Sequence, residues 1–155
     1  MKFCEMPYTR PDIDETKKSF DSLTERLASA KSYADAKEVF LEEQKLEKHI
    51  DTLVNLVSIR HSVNTRDKFY DEEKNFWNGA MPELQEYMQK WTGAMLATPF
   101  REDFSAEYGD LMFVNAEISL KAFSPEIIPE LQRENELVQE YEKLLASAQI
   151  PFEGG

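Results

Sequence analysis

Apolar residues recur at intervals of three and four along most of the chain, which is the spacing of one face of an α-helix. The longest such pattern runs from Tyr33 to Val63 and predicts a helix about 45 Å long. Its apolar face consists of Val39, Phe40, Leu46, Ile50, Leu53, Val54 and Val57. A shorter helix is expected from about Pro11 to Ser32. Strand-like alternation is confined to the closing QIPFEGG, which is compatible with a short extended segment, so the pattern predicts an all-α fold.

Turn residues divide the sequence after Val63. Asp67 is expected to cap a third helix, and NGAMPE is expected to interrupt that helix, because Gly79 favours a helix end and Pro82 a helix start. The helix then resumes around Leu84. A short helix within ATPFREDFSAEYG and another at 110–121 complete this part of the chain.

The last helix has the clearest start signal. In FSPEII, Ser124 can cap the helix, Pro125 has the φ of a first helical residue, and Glu126 complements the helix dipole. The apolar residues expected to form its buried stripe are Ile127, Ile128, Leu131, Leu137, Val138, Tyr141, Leu144 and Leu145. About six helices of these lengths predict an elongated helical bundle, with residues 1–155 forming a single domain.

Composition and charge narrow the classes of partner. Thirty acidic residues against 18 basic ones give a net charge of -12, which disfavours binding to a nucleic-acid backbone. Apolar runs are far shorter than the roughly 20 residues that span a bilayer, and MKFCEMPYTR lacks the apolar core of a signal peptide, so we expect a cytoplasmic protein with no membrane partner. Cys4 is the one cysteine, which excludes an internal disulfide.

Motifs for catalysis or metal binding are not found in the sequence. His49 and His61 are twelve residues apart, or about 18 Å along one helix, so they cannot share a metal ion. A zinc peptidase helix would carry His-Glu-x-x-His, and a di-iron bundle would carry Glu three residues before each His, where this chain has Leu46 and Ser58. No glycine-rich loop could hold a phosphate. The sequence therefore predicts no catalytic, metal-binding or cofactor-binding residue.

The stretch SIRHSVNTRDKFYDEEKNFW, residues 58–77, allows two interpretations. In the first, its acidic residues simply lie at the start of a helix, where negative charge is favoured: Asp67, Asp71, Glu72 and Glu73. In the second, Arg60 and His61 face a cleft and contact a peptide ligand. The aromatic residues Phe69, Phe76, Trp77 and Trp91 are interpreted as core residues, and Glu43 and Glu47 as part of a solvated helix face opposite lysines.

Three stretches carry a family resemblance: MKFCEMPYTRPDID, SIRHSVNTRDKFYDEEKNFW and FSPEIIPELQRENELVQEYEKLLASAQIPFEG. Together they resemble the N-terminal helical region of the oligoendopeptidase F group of the M3 peptidase family, almost from end to end. The resemblance implies a large, mostly helical zinc metallo-oligopeptidase that hydrolyses short peptides in a deep channel, one wall of which is built by N-terminal helices. The zinc motif of that family belongs to a later part of the chain, so the resemblance assigns no catalytic or metal residue here.

Two functional hypotheses follow. In the first, the chain is the substrate-channel domain of such an enzyme, inactive by itself, and its C-terminal helix binds the catalytic domain or a second copy of the chain. In the second, it is a stand-alone acidic helical module for protein interactions that is derived from the same fold.

Overall fold

The structure is a computed structural model that describes residues 3–122 and 124–148. Within these residues it contains helices and turns but no strand, which confirms the all-α prediction. The six α-helices are α1 (Ile13–Ala28), α2 (Tyr33–Val63), α3 (Lys68–Ala97), α4 (Arg101–Tyr108), α5 (Leu111–Ala122) and α6 (Ile128–Ser147). Short 3₁₀ turns lie at Phe3–Glu5 and Pro125–Ile127.

Side-chain caps begin the first three helices. Asp12, Ser32 and Asp67 each accept a hydrogen bond from a backbone N–H two or three residues later, which satisfies a donor that has no partner inside the helix. The predicted bounds of α2 and the predicted cap of α3 are confirmed. Ser124 differs from the prediction, because its side chain makes no capping hydrogen bond and a 3₁₀ turn precedes α6.

Helix α3 is the centre of the bundle and packs against each of the other five α-helices. Two buried clusters hold α1, α2 and α3 together: one surrounds Trp91 and includes Phe104 of α4 and Phe113 of α5, and the other surrounds Trp77. Trp77 and Trp91 are therefore core residues, as predicted. Phe69 is not, because half of its surface is exposed.

The predicted interruption of α3 at NGAMPE is wrong, because the helix continues through Pro82. Proline has no N–H, so the carbonyl of Asn78, four residues earlier, loses its usual helical donor. The Asn135 side chain of α6 donates to that carbonyl through Nδ2 at 3.3 Å. At the next residue of α3, Gln132 Nε2 donates to the carbonyl of Gly79 at 2.9 Å. Side chains that are distant in sequence thus supply the donors around the proline.

Helices α5 and α6 run antiparallel to α3, one after the other. Ser119 of α5 accepts a hydrogen bond from Gln89, whereas Asn135 and Gln139 of α6 bond to Asn78 and Asp71, which lie progressively nearer the start of α3. This arrangement leaves one face of each helix directed away from the bundle.

Candidate functional site

Arg60 joins the N-terminal segment to α2 and α3. Its Nη2 donates to the carbonyls of Phe3 and Met6 at 2.9 and 2.7 Å, and its Nη1 donates to the Tyr70 hydroxyl at 2.8 Å. The guanidinium also lies 5.5 Å from the centres of the Phe3 and Tyr70 rings. These contacts occupy the cationic group with partners inside the chain.

His61 is a residue of α2 and is completely buried. Its Nε2 lies 3.3 Å from Oδ1 of Asp71, although neither ring nitrogen has a hydrogen bond of good geometry. The structure therefore places His61 inside the bundle, while Arg60 is partly exposed beside it. Contact of either residue with a peptide stays a prediction.

Glu73 of α3 is buried and is held by two residues that precede α1. Both of its carboxylate oxygens accept hydrogen bonds from Arg10, at 2.7–3.1 Å, and Oε2 also accepts one from the Tyr8 hydroxyl at 2.5 Å. Burial alone would raise the pKa of Glu73, but the hydrogen bonds from Arg10 and Tyr8 and the charge of Arg10 hold it below its ordinary value. This acid is a structural anchor.

The interface between α3 and α6 is polar. Gln139, only 2 % exposed, accepts from Asn78 Nδ2 at 2.5 Å and donates to Asp71 Oδ1 at 2.9 Å. Lys143 Nζ lies 2.5 Å from the same aspartate oxygen. Burial would raise the pKa of Asp71, but the bonds from Lys143 and Gln139 and the charge of Lys143 hold it low. Polar residues thus occupy the face of α6 that an ordinary helix fills with apolar ones.

The predicted buried stripe of α6 is wrong for its C-terminal half. Leu137, Val138, Tyr141, Leu144 and Leu145 are between 48 % and 65 % exposed, because Gln132, Asn135 and Gln139 occupy the inner face. Helix α5 likewise exposes Leu111, Val114 and Ile118. We call these eight residues the outer strip. If this surface faced only water, charged residues would be expected in place of these apolar ones, since amphipathic helices normally expose charged residues.

The second candidate surface is a groove formed by α2, α3 and α5. One part, with a volume of about 180 Å³, is lined by Glu43 and Glu47 of α2 and by Met88 and Trp91 of α3, among others. An adjoining part of about 440 Å³ shares Glu47, Met88 and Thr92 with it. The interpretation of Glu43 as a solvated residue is wrong, because it is only 2 % exposed.

Two acids share the groove, and no cation in the described part of the chain pairs with Glu43. Gln44 Nε2 donates to Oε2 of Glu43 at 3.1 Å and to Oε2 of Glu47 at 3.2 Å. Burial, followed by repulsion from Glu47, raises the pKa of Glu43 to about 7. Burial also raises the pKa of Glu47, with a contribution from Asp51.

The helical period contained a signal for this burial that the sequence interpretation missed. Ala36, Val39, Leu46, Ile50 and Val57 follow the spacing of the buried face of α2, and position 43 belongs to the same series. A charged residue at an inward position of an otherwise apolar face is the pattern to look for.

In residues 3–122 and 124–148, no group of three or more His, Cys, Asp or Glu side chains is arranged to hold a metal ion. These described residues therefore offer no donor set for zinc, whose ligands the family resemblance assigns to a later part of the chain. None of the helices in the described ranges is long and apolar enough to cross a membrane.

Comparison with solved structures finds close relatives of the whole chain. A protein from Bacillus anthracis described as an oligoendopeptidase F is 40 % identical, with a TM-score of 0.95, and the match covers 99 % of this chain and 28 % of that one. A second protein described as oligoendopeptidase F is 37 % identical, with a TM-score of 0.95 over 99 % of this chain and 27 % of its own. PZ peptidase A, solved with an inhibitor, is 35 % identical, with a TM-score of 0.94 over 99 % and 27 %.

The chain thus spans little more than a quarter of the length of these solved relatives. Comparison with curated protein sequences finds no significant match. The model of the peptidase M3 N-terminal domain matches residues 3–123, which is most of the chain. By this match, and by the similarity of its fold to that of the oligoendopeptidases, the chain belongs to the peptidase M3 N-terminal domain family.

Proposed function

We propose that this chain acts as the N-terminal, non-catalytic portion of a zinc-dependent oligoendopeptidase, in which its helices wall the channel that admits short, unfolded peptides. One observation carries the proposal: 35–40 % identity over 99 % of this chain, but over only 27–28 % of each relative. In this role residues 1–155 form one domain, and the zinc ligands and the hydrolytic chemistry belong to the catalytic portion. The net charge of -12 favours peptides over nucleic acid as ligands, and we propose a cytoplasmic location.

The outer strip supports an interface with that catalytic portion. Helix α5 is apolar around most of its circumference, which is typical of a helix covered on more than one side. Helix α6 is bound to α3 through polar residues, so the apolar residues on its other face are left for a second partner. Exposed apolar surface of this kind commonly marks a protein interaction site. We propose that the catalytic portion covers it.

The experiment mixes the chain with a separately expressed catalytic portion of a solved relative and measures association and cleavage of a quenched fluorescent peptide. We expect the mixture to associate and to show cleavage that a chelator abolishes. Replacing Leu144 and Leu145 together with serine should weaken association at least tenfold, because two large exposed apolar side chains of the outer strip are lost. The matched control replaces Glu140 and Glu142, which are exposed on the same helix.

The second candidate function is a stand-alone acidic module for protein interactions. The exposed strip on a chain of net charge -12 favours it, since such a surface can serve a partner other than a peptidase. Association of the chain with the catalytic portion would contradict this alternative. A chain that stays monomeric at high concentration, binds no hydrophobic dye and ignores the catalytic portion would instead overturn the first proposal, provided that circular dichroism shows intact helices.

A further inference from the structure

The groove between α2, α3 and α5 contains buried hydrogen-bond acceptors that the described residues satisfy only in part: Glu43 accepts from the amide of Gln44 but has no charged donor. Glu43 is almost fully buried, and no cation among the described residues pairs with it. In the adjoining part of the groove, Gln89 Nε2 donates to Ser119, whereas its buried Oε1 finds no hydrogen-bond partner among residues 3–122 and 124–148. Buried acceptors of this kind are costly unless a donor reaches them. A buried carboxylate without a cation and a buried amide oxygen without a donor therefore indicate a ligand that is rich in donors.

The groove is also large enough for a side chain to enter. Its part beside Glu43 has a volume of about 180 Å³, several times the roughly 30 Å³ that one water molecule occupies in the liquid. The lining there is otherwise mostly apolar, with Phe40, Met95 and Met112 around the acids. An apolar passage that leads to a carboxylate suits a chain of methylene groups ending in a cation.

We propose that this groove binds the side chain of a lysine residue of a peptide, with its ammonium group between Glu43 and Glu47 and its methylene groups along Met88 and Met95. The assignment of a peptide as the ligand rests on the proposed function, which supplies peptides. The inference that the ligand carries a positive charge is independent of that function. It follows from the buried acceptors and from the absence of a cation beside Glu43 in the described residues.

The chemistry of the ammonium group fits the site. It carries three donors and no acceptor, and it can therefore serve both carboxylates at once while Gln44 keeps its own bonds to them. Charge-assisted hydrogen bonds are about twice as strong as neutral ones, so they can repay the desolvation of the pair. A neutral side chain of the same length would fill the groove but would give the two carboxylates no cationic partner.

The test titrates the chain alone with the capped peptide acetyl-Ala-Lys-Ala-amide and follows the methyl resonances of Met88, Met95 and Met112 by NMR. We expect saturable shifts at these three methionines. The analogue with norleucine in place of lysine should bind at least tenfold more weakly, because it lacks the ammonium group. A third peptide, Ala-norleucine-Ala-amide with a free N-terminus, separates a lysine side chain from an N-terminal ammonium.

Variants then locate the site. Glu43→Gln and Glu47→Gln should each weaken binding of the lysine peptide about tenfold or more, since each removes one charged partner from a desolvated site. The matched control is Glu38→Gln, which makes the same change at an exposed position of α2. Circular dichroism confirms that each variant is folded.

Three results would overturn the proposal: equal binding of the lysine and norleucine peptides, binding of only the peptide with the free N-terminus, or shifts that do not saturate. Equal loss of affinity in Glu38→Gln would also overturn it, because the effect would then be one of net charge. The measurement uses the chain alone, so its failure leaves association with a catalytic portion unaffected, and the two proposals fail separately.

Discussion

Replacing Glu43 with glutamine should stabilise the chain above neutral pH and leave its stability almost unchanged in mild acid. The pKa of this buried acid rises from an ordinary 4.5 to about 7 because of its burial and the charge of Glu47. Between these two values the folded protein holds a proton that the unfolded chain has released. The stability of the original chain therefore falls as the pH rises from about 4.5 to about 7, and it does not fall further for this reason above that range.

The size of the effect follows from the same two pKa values. A difference of this size corresponds to about 3 kcal/mol of unfolding free energy at pH 8, which is an upper bound because Glu47 titrates together with Glu43. Glutamine keeps the volume and shape of the side chain and has no charge to bury. The gain should thus approach this bound at pH 8, shrink through pH 6 and vanish near pH 4.5.

Urea unfolding followed by circular dichroism at four pH values between 4.5 and 8 measures this difference. Glu38→Gln is the control, since it lowers the net negative charge equally at an exposed site on α2. The reasoning is refuted if Glu43→Gln is no more stable than the control at pH 8, or if its gain is the same at every pH.

Three further outcomes are expected. Gln139→Ala should lower the unfolding free energy in urea by about 1–3 kcal/mol, because Asn78 and Asp71 lose a buried partner, whereas the exposed Glu140→Ala should change it little; equal losses would contradict the importance of the polar interface. Arg10→Met should lower the unfolding free energy at pH 7 by on the order of 2 kcal/mol, which is less than at a fully buried pair because Arg10 is half exposed. This loss should shrink on acidification, because Glu73, whose pKa is lowered, then takes up a proton. A loss of stability that does not depend on pH would count against this account. Metal analysis of the purified chain should find no stoichiometric zinc, and a fluorescent-peptide assay should find no cleavage. One tightly held zinc ion together with chelator-sensitive cleavage would contradict this expectation.

Features that depend on neighbouring residues could be read from the sequence. The bounds of α2 and the cap at Asp67 were both predicted, because apolar spacing and a capping side chain act within one or two turns of the same helix. The all-α class follows from the same local signals, repeated along the chain. The motif search could likewise establish that His-Glu-x-x-His is not in this sequence, since a motif is a local pattern.

The continuity of α3 and the orientation of α6 were decided by the tertiary structure. By local rules Gly79 favours a helix end and Pro82 a helix start, yet Asn135 and Gln132, fifty or more residues further along the chain, supply donors to the carbonyls around Pro82. The same two residues, with Gln139, turn the polar face of α6 inward, so Leu137, Leu144 and Leu145 point outward although their spacing alone predicts burial. Helical spacing identifies residues that share a face, but not what that face will meet.

In the groove, the difference between what the sequence determines and what the tertiary structure determines is clearest. The sequence places Glu43 on the apolar face of α2, but whether a carboxylate there is hydrated depends on the two helices that close over it, α3 and α5. Their packing shields the carboxylate from bulk solvent, and the loss of hydration, added to the repulsion from Glu47, is what makes the charge costly. Electrostatic free energy depends on the surroundings in three dimensions, so only the assembled bundle determines it.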